Sequence, residues 1–339
     1  MPQIGQAFVR NLFLHVLTDA DPSDADLEPW LQLLKHTGSH EAVFNAFIES
    51  DQAQLLLASR LDSKGPWPPG HFYSPLTSRS EIGLDLERLY APNRQPAAIA
   101  LDIPAQLTFL QHLARHVPAF PFPDEKSDGL RYFSNTHSYN YGDAIIYWAI
   151  LNFLRPSQII EVGCGSSSCL ALDCIDILTL NTACTFIDPH PEVAQSMFGE
   201  LPDRHQLIAS RIQDVDLSLF GRLGENDILF IDSTHVLKTG SDVHHELTAI
   251  LPILRSGTWI HFHDMFAQFE YPAQWVVDNW SWNELYAVQL FLMHNHDYEI
   301  CLFPHHLATQ YRDEVTHILG AKAERFLLNP GGGLWIRKK

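Results

Sequence analysis

Ile159-Ile160-Glu161-Val162-Gly163-Cys164-Gly165-Ser166-Ser167-Ser168 decides the fold of this chain. An apolar run ends in an acid, a Gly-x-Gly turn follows, and small polar residues lead into a helix-compatible stretch, Cys169-Leu170-Ala171-Leu172. The pattern is strand, tight turn, helix. Gly163 and Gly165 lack the Cβ atoms that would hold a ligand away from the backbone. The first turn of the following helix has free N–H groups to offer an anionic group. Alone, such a turn is a weak signal, and its meaning depends on what lies downstream.

A second strand is predicted over 184–188, closed by Asp188-Pro189. An acid at the tip of the second strand is placed for a ribose diol. A dinucleotide site is therefore one reading, although Ser168 stands where its fingerprint has a third glycine. Further short apolar runs occupy 206–210, 227–232 and 258–264, with helix-compatible sequence between them. That alternation predicts a parallel sheet covered on both faces. Its carboxyl ends gather Glu161, Asp188, Asp232, His263 and Asp264, and open α/β sheets bind ligands at that edge. Two last strands, 298–303 and 333–337, are expected as an antiparallel insertion, with Pro330-Gly331-Gly332-Gly333 as the turn into the final one. The fold class is α/β: a Rossmann-like, seven-stranded, mostly parallel sheet.

With these motifs, residues 131–339 resemble the class I S-adenosylmethionine-dependent methyltransferases. The resemblance implies that Glu161, Gly163, Gly165 and Ser166 wrap the methionine part of the cofactor, that Asp188 holds the ribose hydroxyls, and that Gln213, Asp214 and Val215 border the adenine. Tyr139 and Asp143, in the segment before the first strand, are candidates for contacts to the methionine end; Asp143 also reads as a plain helix N-cap. The runs Ile231-Asp232-Ser233-Thr234-His235 and His261-Phe262-His263-Asp264 are similar to a narrower branch. That branch contains metal-dependent sugar O-methyltransferases of natural-product pathways and cephalosporin hydroxylase-like proteins. It implies Asp232, His263 and Asp264 as metal ligands, with Asp232 and His235 as the catalytic residues and His235 as the base. Glu is the family's residue where His263 stands, so the metal is left open between Mg²⁺ and Mn²⁺, Fe²⁺ or Zn²⁺.

The chemistry asks for these residue types. Methyl transfer to a hydroxyl is an in-line displacement at a sulfonium carbon, which needs alignment and removal of a proton. A sugar hydroxyl is a weak acid, so a divalent cation beside a base suits it. Carboxylates suit Mg²⁺, and an imidazole among them moves preference towards Mn²⁺, Fe²⁺ or Zn²⁺. Each residue also has an ordinary reading. Asp232 reads as a helix cap, His235 as a loop histidine in a chain of 19, and Asp264 as a turn residue. The aromatic segment 266–282 follows the fifth strand, where it would shape an acceptor pocket or simply fill a core.

Composition bounds the rest. The chain has 339 residues and a formal charge of −18, without the basic footprint of a nucleic-acid binder. No apolar run reaches the roughly 20 residues of a membrane span, and no secretory signal opens the chain. Five cysteines with no Cys-x-x-Cys pair point to free thiols and a reducing, cytoplasmic setting, and the resemblance implies a bacterial protein. Residues 1–62 read as a small helical domain, with Phe8, Leu12 and Val16, then Leu27, Trp30, Leu31 and Leu34, then Val43, Phe44 and Phe47 at helical spacing. It resembles the DUF4214 type and is expected to serve docking or homo-oligomer assembly. Residues 63–130 read as a proline-rich linker and lid-like segment, whose aromatic stretch 65–75 is expected to lie against the methyltransferase domain; one helix is expected over 103–117. The expected activity is O-methylation of a small-molecule or glycan hydroxyl. The rivals are a metal-dependent hydroxylase-like or dinucleotide-using enzyme on the same scaffold, and a non-catalytic binding or assembly module.

Overall fold

The structure, a computed structural model, describes residues 9–10, 24–50, 67, 71–91, 96–136 and 138–339. Seven strands form one sheet: β1 Gln158–Val162, β2 Ala183–Ile187, β3 Gln206–Ile208, β4 Ile228–Ile231, β5 Trp259–Phe262, β6 Tyr298–Leu302 and β7 Leu334–Lys338. Their order is β3-β2-β1-β4-β5-β7-β6. The first five pair in parallel, and β7 is inserted antiparallel to both β5 and β6. The expected α/β sheet, including the late insertion, is thus the observed one.

Successive side chains of a strand point to opposite faces, and here both faces are apolar. Ile159, Cys184, Phe186, Ile228, Phe230, Trp259 and Trp335 enter one core. Ile160, Val162, Ile187, Leu229, Ile231, Ile260 and Ile336 enter the other. This is why the strands read as unbroken hydrophobic runs rather than alternating ones. The helix Tyr141–Leu154 is apolar nearly all round and lies in the first core, with Ile146, Trp148 and Ile150 each buried. Its N-cap is Asn140, whose Oδ1 accepts from Gly142 N at 2.7 Å, so the cap falls three residues before Asp143.

The chain divides into two compact units, residues 1–81 and 82–339. The division splits the expected linker 63–130. Its second half carries the helix Ile103–Ala114, shorter than expected because a 3₁₀ turn at Val117–Ala119 follows it. Leu110, Leu113, Val117 and Phe122 belong to the first core of the sheet unit, so this half is part of the fold. In the smaller unit, helices Asp24–Thr37 and His40–Glu49 flank the expected Gly38-Ser39 break, and Ser39 caps the second through Ala42 N at 3.2 Å. Leu27, Val43 and Phe47 form its core with Val9. The helix expected over 8–16 lies, Val9 and Arg10 apart, outside the described residues, as do the acidic turn 19–23 and Pro66, Pro68 and Pro69. Trp67, His71, Phe72 and Tyr73 stack on one another, with Trp67 and His71 4.5 Å apart. Among the described residues no helix is long and apolar enough to cross a membrane.

Candidate active site

The sheet order reverses between β1 and β4, since the chain runs outward through β2 and β3 before returning to β4. The two crossovers leave in opposite directions there and open a crevice at the carboxyl ends. A cavity of about 580 Å³ occupies it. It is lined from one end by Ser138, Tyr139 and Gly163 to Ser167, then by Asp188 and Pro189, then by Ser210 to Gln213, and from β4 by Asp232 to Thr234. Of the expected cofactor contacts, Gly163, Gly165, Ser166, Asp188, Gln213 and Tyr139 are on its wall.

Gly163 has φ +78°, and a Cβ there would run into the carbonyl oxygen of Asp232. The turn therefore presses against β4 through bare backbone. Asp188 receives two backbone N–H groups, Cys164 N at 3.1 Å and His190 N at 2.7 Å, which fix its carboxylate at the cavity mouth. Tyr139 is buried, and its hydroxyl has no hydrogen-bond partner.

Four expected contacts are elsewhere. Glu161 is fully buried below the turn and off the cavity wall: Ser167 Oγ donates to its Oε1 at 2.6 Å and Ser168 Oγ at 2.8 Å. Ser168 Oγ also accepts from Gly165 N at 3.1 Å. The position that lacks the dinucleotide fingerprint's third glycine thus ties the helix Ser166–Ile177 to β1. Burial outweighs the two hydroxyl donors and lifts the Glu161 carboxyl to about 8. Asp143 is buried and accepts from Gly332 N at 2.9 Å and Asn140 Nδ2 at 3.0 Å, so it latches the glycine turn before β7 instead of facing the cavity. Burial, opposed by His263, raises it to about 7. Asp214 forms an exposed pair with Arg211, 2.8 Å away, and Val215 packs on the second core. Local pairing and apolar packing took these two residues off the cavity.

The β4 and β5 ends carry the ionisable groups. Single donor atoms of Asp232, His235 and Asp264 all lie within 4.8 Å of one another. His235 Nε2 is 3.3 Å from Asp232 Oδ1 and 3.4 Å from Asp264 Oδ2, and its Nδ1 is 2.7 Å from Glu284 Oε2. Burial pulls the His235 imidazole down, but hydrogen bonds to Asp232 and Glu284 dominate and hold it up at about 11. His263 is buried too; its Nε2 is 3.9 Å from Asp264, its Nδ1 has no partner, and its ring leans on Tyr139 at 5.2 Å. Burial is outweighed by Asp232, Asp264 and Asp143, which raise it to about 9. His263 falls outside the compact donor group in which it was expected, and His235 is inside. Two carboxylates and an imidazole within ion-binding reach fit a divalent cation. His261, sandwiched between Phe230 and Trp335 with neither ring nitrogen bonded, is a packing residue.

Glu284 is the functional group that sequence reasoning missed. It begins the helix Glu284–Leu292, where an acid is an ordinary complement to the helix dipole. Nothing local marks it as the partner of a residue in the loop after β4. The loop that carries His235 is tied to the same helix: Asn283 N and Glu284 N donate to His235 O at 3.0 and 3.1 Å. Lys238, on that loop, and Asp242, which begins the helix Asp242–His245, also reach the cavity unannounced by any motif.

Known proteins bear on this geometry. A family described as a methyltransferase domain matches residues 160–265. An uncharacterized protein of Archaeoglobus fulgidus is 30% identical over 168 residues, which span 48% of this chain and 76% of that one. The chain belongs to the class I S-adenosylmethionine-dependent methyltransferases. Similar solved structures include cmcI in a Mg–SAM form, at 18% identity over 59% of this chain and 72% of that chain, with TM-score 0.33. The SAH-bound methyltransferase PaMTH1 of Podospora anserina is 17% identical over 78% of this chain and 99% of its own, with TM-score 0.37. The plantazolicin methyltransferase BpumL with SAH and a desmethylPZN analog is 14% identical over 77% and 90%, with TM-score 0.37. Likenesses this loose say nothing about the acceptor.

Proposed function

We propose that this protein transfers the methyl group of S-adenosylmethionine to a hydroxyl of a small molecule or glycan, aided by a divalent cation at Asp232, His235 and Asp264. One observation carries the reading: Asp232 belongs both to the wall of the crevice cavity and to the donor cluster, so donor and reactive groups meet at one residue. In the crevice, Asp188 would accept from the ribose hydroxyls, and the Gly163–Ser166 turn would face the methionine part. Bound S-adenosylmethionine would supply an activated methyl group for the acceptor oxygen, with S-adenosylhomocysteine as the product, and the cluster would take the hydroxyl proton. The chain's part is to align oxygen and methyl and to exclude water. A divalent cation held there supplies positive charge that makes a neighbouring hydroxyl more acidic.

The acceptor side is aromatic. Trp282 lies 4.4 Å from the His235 ring and 4.9 Å from Trp280, which is 45% exposed and stacks on Trp275 at 4.5 Å. An exposed indole one ring removed from the reactive cluster, through Trp282, suits the face of a sugar or other ring. The amino-terminal helical unit is assigned to docking, on its small independent core.

Calorimetric titration with S-adenosylmethionine, S-adenosylhomocysteine and NAD, each with Mg²⁺, Mn²⁺ or EDTA, tests the assignment. Micromolar binding of both adenosyl ligands and none of NAD is expected. Binding of neither adenosyl ligand would sink the enzyme reading and favour a non-catalytic module.

A further inference from the structure

Resting on the methyltransferase reading for its use but on side-chain geometry for its placement, we propose that His235 is the third ligand of the cation bound by Asp232 and Asp264. Glu284 is its positioning residue, and His263 is not a ligand.

The distances argue first. Donors held about 2.1 Å from one ion lie roughly 3–4 Å apart. His235 Nε2 meets that with both carboxylates, at 3.3 and 3.4 Å. His263 Nε2 reaches only Asp264, at 3.9 Å and the outer edge of that range, and forms no ion pair with Asp232 among the described residues.

Orientation argues next. An imidazole that ligates through one nitrogen donates its other N–H to a carboxylate or carbonyl, which fixes the tautomer. Glu284 Oε2 stands 2.7 Å from His235 Nδ1 and supplies that partner from inside the protein, since Glu284 is 1% exposed. The Nε2 lone pair is thereby turned towards Asp232 and Asp264. No carboxylate plays that part for His263, whose Nδ1 is unbonded.

Backbone strain is the third observation. His235 has φ +59° and Asp264 has φ +55°. Neither is glycine, and such conformations persist where the surroundings over-determine them, typically at ligand clamps. Here two of them face each other across the cluster.

Two consequences follow. A donor set of one nitrogen and two carboxylates favours Mn²⁺, Fe²⁺ or Zn²⁺ over Mg²⁺. A lone pair given to a cation is not free for the acceptor's proton, so His235 is a ligand where a base was expected.

The test uses the full chain, stripped with EDTA and titrated with Mn²⁺ by calorimetry, with electron spin-echo spectroscopy of the bound Mn²⁺ to detect coupled imidazole nitrogen. The expected result is one Mn²⁺ site, weaker competition by Mg²⁺, and a nitrogen signal that survives in His263→Ala. His235→Ala abolishes the signal, and Glu284→Gln, near-isosteric with the native carboxyl, weakens Mn²⁺ binding about 10- to 100-fold. The wild-type and His263→Ala spectra decide the matter even if His235→Ala does not fold. A signal lost in His263→Ala, no nitrogen coupling in the wild type, or no Mn²⁺ binding at all would overturn the proposal. S-adenosylhomocysteine binding is measured in EDTA alongside. If it binds while Mn²⁺ does not, the ligand assignment fails and the methyltransferase reading stands; if Mn²⁺ binds and it does not, the reverse holds.

Discussion

Along the carboxyl edge of the sheet, β1 and β2 meet the cavity mostly with backbone, whereas the ends of β4 and β5 carry a cluster of ionisable side chains that joins the cavity wall at Asp232. Gly163, Gly165 and the Asp188 carboxylate, itself held by two backbone N–H groups, form the first half. Asp232, His235, His263 and Asp264, with Glu284 behind them, form the second. The first half is drawn from two successive strand ends, one turn and one strand tip. The second is assembled from three separate segments. A cofactor whose shape is fixed can be read by a local turn. A reaction that must move a proton at an acceptor needs charges, and those are brought together from distant parts of the chain.

If the halves are as distinct as this, substitutions should separate fold and cofactor binding from the reactive cluster. Gly163→Ala should be the most damaging. Its Cβ would collide with the Asp232 carbonyl at φ +78°, where an L side chain is already disfavoured. A loss on the order of 3 kcal/mol is expected from the conformational penalty and the overpacking together. Urea unfolding would measure it, and adenosyl-ligand binding should vanish with it. An unchanged unfolding midpoint would mean that the turn and β4 are not pressed together.

Glu161→Gln acts in the same half through pH. Burial raises this carboxyl from 4.5 to about 8 in the folded chain, so the native state holds a proton that the unfolded state releases. The contribution is full below about pH 4.5 and is lost as pH rises through about 8. Wild type should therefore lose on the order of a few kcal/mol of stability across that window from this group. The glutamine variant, neutral at every pH, should show a flatter profile and overtake wild type at alkaline pH. Parallel profiles in urea melts from pH 5 to pH 9 would show that Glu161 is ionised throughout.

The two halves also differ in how much the sequence discloses. The strands were legible because both faces of the sheet are covered, which leaves continuous runs such as Ile228–Ile231 between polar ends. The place of Asp188, Asp232 and Asp264 at the carboxyl edge was legible because each closes a strand predicted from its apolar run. Glu161 and Asp143 looked equally functional, and only the fold tells that one anchors Ser167 and Ser168 and the other latches Gly332. A buried carboxylate and a ligand-binding one carry the same letter. Glu284 was illegible for the opposite reason: its spacing from His235 is set by a loop and a helix whose approach no local pattern encodes.

Asp188→Asn tests the cofactor half by itself. Under the proposed function the carboxylate accepts from ribose hydroxyls, and a hydrogen bond to a charged group contributes about 1.5–3 kcal/mol. S-adenosylhomocysteine affinity should fall roughly ten- to a hundredfold on that scale. Cys164 N and His190 N donate to different oxygens of Asp188, and asparagine keeps an oxygen for only one of them, so a stability loss of about 1 kcal/mol is expected alongside, while Mn²⁺ affinity should not change. A fall in Mn²⁺ affinity as large as that for the adenosyl ligand would break the separation between the halves.

Trp280→Ala should have the smallest effect and the most selective one. The indole is 45% exposed, so removing it leaves little cavity, and the unfolding midpoint should stay within experimental scatter. Its neighbours Trp275 and Trp282 keep their own contacts to Phe266 and to His235, so the cluster geometry should persist. What is lost is one face for the acceptor's ring, worth about 0.5–1.5 kcal/mol. That corresponds to a rise in acceptor KM of roughly two- to tenfold with kcat and the adenosyl-ligand Kd unchanged. A fall in kcat at constant KM would instead place Trp280 among the groups that set the alignment of oxygen and methyl. No change in either, with an authentic acceptor, would mean that the acceptor approaches the cluster without touching this side of the 266–282 segment.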